Sequence, residues 1–194
     1  KLITRGEGKG AVSLDASPEE NVRELAKALK KDVSEITVAI LDRPRHVELQ
    51  EAVRRAGART RLFLDGDVAA GVHAVTGAGN IDMLLGIGGA PEGAISACAT
   101  KALGGYMQGR IAPQSEHEMQ RTLAAGHDIN KIFELDDLVS SDNTYFVATG
   151  VTDGLLLDGV QKRGHYLRTD SIILRARSGT IRRVKADYLA ARWI

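Results

Sequence analysis

Cysteine is all but missing from this chain of 194 residues. Its one thiol, Cys98, has no partner for an internal disulfide. A secreted disulfide scaffold is therefore excluded, and a reducing, cytoplasmic location is expected. Aromatic residues make up only 4%, too few to offer a stacking platform for single-stranded bases. Neither sign of charge dominates: 26 Lys and Arg face 25 Asp and Glu, for a net charge of +1. A dedicated nucleic-acid or membrane-surface protein would carry a basic excess, so neither partner is expected. No apolar run approaches the ~18 residues of a membrane span, and no basic-then-apolar signal peptide opens the sequence. Long linkers, repeats and low-complexity tracts are also lacking. The chain begins with Lys1 rather than methionine, which points to residues upstream.

What is present is a globular composition, 43% hydrophobic and 26% charged, read as a single α/β domain over residues 1–194. Glycine, at 21 residues, exceeds its usual share of ~7%. After a Gly-rich opening, Ala11 to Leu14 reads as a short strand. Ser17, Pro18 and Glu20 make a capping box for a helix carrying Val22, Leu25, Ala26 and Leu29. Strand and helix then alternate three times. The strands are Ile36–Leu41, Thr60–Leu64 and Ile81–Ile87; the helices are Pro44–Ala56, Asp67–Val75 and Pro91–Leu103. This order predicts parallel strands with right-handed crossovers, within an α/β fold whose sheet is expected to be mostly parallel or mixed, with helices on both faces. Further on, Tyr106–Ile111 reads as a strand and 114–139 as polar helix broken near Gly126. Thr144–Ala148 reads as a strand, and 168–187 as a β-hairpin turning at Ser178-Gly179.

Polar clusters follow each of the three predicted parallel strands, at the edge where open α/β sheets bind ligands. The first is Asp42-Arg43-Pro44-Arg45-His46. Two guanidinium forks at a helix start suit a phosphate; equally, the arginines could pair with Asp42 and Glu48 on the surface. The second is Asp65-Gly66-Asp67. Its carboxylates could accept sugar hydroxyls or hold a hard cation, or form a plain turn with Asp67 as helix cap. The third runs from Gly86 to Gly93. Gly88-Gly89 lets backbone approach a ligand, and Glu92 in the first helical turn is a candidate metal carboxylate or an ordinary acidic residue there. Pro91 replaces the last glycine of a dinucleotide fingerprint, which therefore fails, and no other nucleotide, zinc or hydrolase motif is present. His46 adjoins the arginines. His73, His117, His127 and His165 are read as polar surface, and Cys98 as a buried small hydrophobe. The basic hairpin residues Arg175, Arg177, Arg182, Arg183 and Lys185 read as a solvated edge or a subunit contact.

These clusters, in this order, resemble the class II fructose-1,6-bisphosphatases of the GlpX type, within the lithium-sensitive sugar-phosphatase superfamily. The carrying stretches are Arg43-Pro44-Arg45-His46, Asp65-Gly66-Asp67-Val68-Ala69 and Gly86-Ile87-Gly88-Gly89-Ala90-Pro91-Glu92-Gly93. Ser141-Asp142-Asn143, Ala148-Thr149-Gly150-Val151-Thr152 and Ser178-Gly179-Thr180-Ile181-Arg182 extend the similarity over nearly the whole chain. The resemblance implies the layered αβα sugar-phosphatase fold and hydrolysis of fructose 1,6-bisphosphate, with sedoheptulose 1,7-bisphosphate a related substrate. It also implies a Mg²⁺ or Mn²⁺ cofactor and a homo-oligomer. Substrate contacts would lie at Arg43, Pro44, Arg45, Asp65, Gly66, Asp67 and Gly89, and a metal ligand at Glu92. Family members often have Lys where Arg43 stands. The Asp-Pro-x-Asp/Glu-Gly-Thr metal motif and the Gly-Glu-Gly-Glu cluster of the family's N-terminal half do not occur. The chain therefore resembles the C-terminal, substrate-binding half, expected to be inactive alone. A sugar-phosphate-binding or assembly module without catalysis is the other reading.

Overall fold

A computed structural model describes residues 1–192. A six-stranded sheet is built from β1 (Leu2–Thr4), β2 (Thr37–Leu41), β3 (Arg59–Phe63), β4 (Met83–Leu85), β5 (Tyr106–Gly109) and β6 (Phe133–Glu134), in the order β3-β2-β4-β1-β5-β6. Strands β2, β3 and β4 are parallel, as the alternation with helices requires. Strand β1 is inserted antiparallel between β4 and β5, and β6 closes the far edge antiparallel to β5. The sheet is mixed, with the parallel part at one side.

Alternate residues of each strand enter different cores. Leu2, Val38, Ile40, Met83, Leu85 and Tyr106 pack with Val22, Leu25 and Val53 from helices α1 (Pro18–Leu29) and α2 (Val47–Arg55). Ile3, Ala39, Leu84 and Met107 pack on the other face with Ala70, Ala74 and Ala97 from α3 (Asp67–Thr76) and α4 (Ala90–Ala102). This is the period-two pattern of a sheet covered on both sides. Helix α1 starts at the expected capping box: Ser17 Oγ accepts the Glu20 N–H, and the Glu20 carboxylate accepts that of Ser17. Under β4, the buried Asp82 accepts from Arg5, Lys31 and the Thr37 N–H, which ties three segments together.

The chain continues through α5 (Glu116–Ala124) and the single-turn α6 (Leu135–Leu138) to a second, antiparallel sheet. Here β9 (Tyr166–Arg175) pairs along its length with β10 (Thr180–Leu189), and on its other side with β7 (Tyr145–Thr149) and β8 (Gln161–Arg163). Phe146, Ile172 and Leu174 from this sheet meet Val72, Ala99 and Ala102 of α3 and α4. Helices α3 and α4 thus lie between two sheets, which explains their small residues and weak amphipathicity.

Two expectations need correction. Ala11 to Leu14 is not a strand: Val12 N–H turns back to Gly8, and Leu14 N–H is taken by the Gln108 side chain. The strand of this region is Leu2–Thr4 instead. The break expected near Gly126 is present, where α5 ends before a left-handed φ of 76°, but the segment beyond it is not all helix: Phe133–Glu134 joins the first sheet. The expected hairpin is present, as half of a four-stranded sheet.

Candidate functional site

Parallel pairing brings the ends of β2, β3 and β4 to one edge of the first sheet. Because β1 is antiparallel, its beginning reaches the same edge: Leu2 pairs with Leu85, and the Lys1 and Gly86 backbones exchange hydrogen bonds.

The turn after β2 is a short 3-10 segment, Pro44–His46, with Pro44 in the first position its fixed φ favours. Arg45 is exposed, and its Nη2 donates to the Ile87 carbonyl at 2.9 Å. His46 is 1% exposed. Its Nδ1 lies 2.8 Å from the Leu41 carbonyl, and its Nε2 accepts the Ile87 N–H at 2.8 Å. A carbonyl only accepts and an amide N–H only donates, so the ring proton sits on Nδ1. Burial lowers the pKa of His46, the Leu41 contact opposes that, and Arg45 adds to the lowering.

After β3, Gly66 adopts φ 84° and its N–H is accepted by Asp65 Oδ1. Gly66, not Asp67, is the N-cap of α3, which corrects the capping alternative. Asp67 opens the helix, 4% exposed, and its Oδ2 meets Lys1 Nζ at 2.6 Å. Among the described residues, each of these two atoms has only the other as its partner.

The third turn lies between β4 and α4. Gly86 has φ 152°, and a Cβ there would stand 3.2 Å from the His46 ring. A Cβ on Gly88 would run into the Asp67 carboxylate and Lys1. Only glycine allows this backbone to lie so close to both neighbours. Gly89 caps α4, and its N–H donates to Glu92 Oε2 at 2.9 Å.

The three turns therefore meet at the glycine loop. Arg45 and His46 hold Ile87, the Lys1–Asp67 pair lies against Gly88, and Glu92 holds Gly89. Of the remaining candidates, the Arg43 and Asp65 side chains bond, among the described residues, only within their own turns. Sequence reasoning missed Lys1, whose contact with Asp67 depends on the antiparallel insertion of β1. His73 is another correction: expected on the surface, it is 9% exposed with its pKa lowered by burial, because α3 is sandwiched between sheets. Cys98 is half-buried rather than a full core residue.

These residues do not by themselves fit a metal. Among the described residues, no three His, Cys, Asp or Glu side chains gather where they could hold a cation. Glu92 is exposed and has one carboxylate oxygen uncommitted, while Asp67 is committed to Lys1. A hard divalent ion takes six or more oxygens, and one carboxylate leaves such a shell incomplete. Among these residues, too, no helix is long and apolar enough to cross a membrane.

Residues 1–188 match the family model described as bacterial fructose-1,6-bisphosphatase, glpX-encoded. A class 2 fructose-1,6-bisphosphatase of Haemophilus influenzae is 38% identical over 97% of this chain and 60% of its own length. A protein of Synechococcus named D-fructose 1,6-bisphosphatase class 2/sedoheptulose 1,7-bisphosphatase is 39% identical over 97% of this chain and 58% of its own. Fructose-1,6-bisphosphatase 1 class 2 of Escherichia coli is 38% identical over 97% and 60%. The chain spans about three-fifths of the length of these relatives. The match over residues 1–188 shows that the chain belongs to the glpX-encoded bacterial fructose-1,6-bisphosphatase family.

Proposed function

We propose that the protein to which this chain belongs hydrolyses the 1-phosphate of fructose 1,6-bisphosphate, and that this chain holds the sugar and its distal phosphate. The supporting observation is the meeting of three strand-end turns at Ile87–Gly89. Water would attack the phosphorus and the bond to the sugar oxygen would break, giving fructose 6-phosphate and phosphate. Arg45 spends one of its five donors on Ile87. The others, together with Arg43 on the same Pro44 turn, would grip the non-reacting phosphate. The Gly88 N–H, without a partner among the described residues, would add a neutral donor. Asp65 and Asp67, each with one oxygen uncommitted, would accept sugar hydroxyls, with Gly66 and Gly89 allowing close approach.

A divalent cation, Mg²⁺ or Mn²⁺, belongs to the same proposal. Glu92 would be one ligand and the other carboxylates would come from outside these 194 residues. The Synechococcus relative's name includes sedoheptulose 1,7-bisphosphatase, which makes that sugar a second substrate to assay. Self-association is part of the reading as well. Its support is the outward face of the second sheet, where Tyr145, Val147 and Val184 are exposed. A cytoplasmic location rests only on the lone Cys98.

A phosphate-release assay with Mn²⁺ tests the proposal. The full-length protein should convert fructose 1,6-bisphosphate to fructose 6-phosphate, whereas the 194-residue chain should bind sugar phosphate without releasing phosphate. No turnover by the full-length protein would overturn the activity. Turnover by the chain alone at enzyme rates would overturn the division of labour.

A further inference from the structure

Residues 45 and 46 do something the family assignment does not describe. They are neighbours in sequence, yet they take the two backbone polar groups of one distant residue. Arg45 donates to the Ile87 carbonyl at 2.9 Å, and His46 accepts the Ile87 N–H at 2.8 Å. The other side of the imidazole is tied to the Leu41 carbonyl, at the end of β2. Against the ring, Gly86 has φ 152°, and a Cβ there would crowd the imidazole at 3.2 Å. Ile87, and with it the Gly88 amide that follows, is held by Arg45 on one side and by one buried ring on the other, while Glu92 holds the Gly89 amide.

We propose that His46 is a positioning residue of the candidate site: as a neutral imidazole protonated on Nδ1, it holds the glycine loop in its phosphate-accepting shape and lets go when the ring takes a second proton. The inference rests on the sugar-phosphate reading of this loop. Protonation places a hydrogen on Nε2, pointing at the hydrogen of the Ile87 amide. That contact turns from a bond into a repulsion between two donors. The charged groups around the ring are Arg45 and Arg43 of its own turn; the Lys1 side chain at the head of β1 is neutralised by Asp67 of α3. The glycine loop itself adds none before Glu92. The surroundings are thus net cationic and hydrophobic, so they favour the neutral ring down to acidic pH. Below that point the loop is released.

Two variants and one spectrum test this in the full-length protein. His46→Phe keeps a flat ring and removes both hydrogen bonds. His46→Gln retains an amide donor for Leu41 and an amide acceptor for Ile87 but does not titrate. Nitrogen NMR of the imidazole at pH 7.5 should show the proton on Nδ1 and none on Nε2. His46→Phe should raise KM for fructose 1,6-bisphosphate about tenfold, the equivalent of one net hydrogen bond, while kcat falls less than about threefold. His46→Gln should restore most of the affinity. It should also lose less of that affinity than wild type between pH 7.5 and 5.5. The comparison matters because the substrate phosphates titrate near pH ~6 themselves, an effect common to both proteins.

A proton on Nε2, a wild-type KM in His46→Phe, or an identical acid loss in His46→Gln would each overturn the proposal. If His46→Phe does not fold, the spectrum and the His46→Gln profile still decide. If the wild-type protein has no phosphatase activity, the proposed function has failed on its own account. The positioning claim is then read from hydrogen exchange at Ile87 and Gly89: faster in His46→Gln at pH 7.5 means that the amide does not replace the ring and contradicts the hydrogen-bond account, whereas protection equal to wild type at pH 7.5 and greater than wild type at pH 5.5 supports it.

Discussion

Replacing Arg45 by alanine separates grip on the substrate from stability. The side chain is exposed, and among the described residues its hydrogen bond is the 2.9 Å one to the Ile87 carbonyl. Loss of that contact is cushioned, because His46 still holds the Ile87 N–H. Exposed substitutions of this kind usually shift stability by no more than ~0.5 kcal/mol. The phosphate contact is worth more. A hydrogen bond to a charged group contributes about 1.5–3 kcal/mol, which corresponds to a rise in KM of roughly tenfold to 150-fold. Because Arg45 faces the non-reacting phosphate in the proposed pose, kcat should change little. Arg45→Lys should recover only part of the loss, since a point charge replaces a planar fork. The assay is steady-state phosphate release by the full-length protein, with thermal unfolding of the same samples. A KM within twofold of wild type, with Tm unchanged, would refute the placement of Arg45 in the site.

Glu92→Gln should keep the Gly89 cap, because the amide oxygen can accept the same N–H, but lose the charge. The metal concentration needed for half-maximal rate should rise with Tm unmoved, and an unaltered metal titration would contradict a ligand role. Asp82→Asn leaves two cations facing a neutral group that is 1% exposed. Breaking such a buried pair costs about 3–5 kcal/mol, and the partial exposure of Arg5 and Lys31 favours the lower figure, near 3. At about 2–4 °C per kcal/mol, Tm should drop by roughly 10 °C; a drop under about 2 °C would contradict the tying role of Asp82. His46 and His73 both have pKa values lowered by burial. Their unfolded forms bind protons first, so stability is fully present above pH ~6.5 and declines as pH falls. The urea midpoint should decrease from pH 7.5 to 5.5, and less so in His46→Gln; a midpoint independent of pH would refute this.

The first sheet was legible where local chemistry and tertiary packing agree. The Ser17–Glu20 box and the β-branched run ending at Leu41 name their elements without help from distant residues. Leu2–Thr4 was not legible, because three residues have too little period to mark a strand; they become one only by lying between β4 and β5. Ala11–Leu14 looked extended because Val12 and Leu14 are apolar. Their burial is real, but the backbone is satisfied by Gly8 and by the Gln108 side chain. The site follows the same division. The strand-end turns at Arg43–His46, Asp65–Asp67 and Gly86–Glu92 could be read from sequence, since parallel strands bring such turns to one edge. The Lys1–Asp67 pair and the His46–Ile87 bond could not: each joins residues far apart in the chain, and nothing local marks Lys1 or Ile87 as a partner.

The central claim is that the three turns act on one bound sugar phosphate. Backbone amide NMR of this chain, titrated with fructose 6-phosphate, tests it most directly. The account predicts that resonances at Arg45, at Asp65–Asp67 and at Gly88–Gly89 move together with one dissociation constant. Shifts confined to a single turn, or located on the second sheet instead, would contradict it.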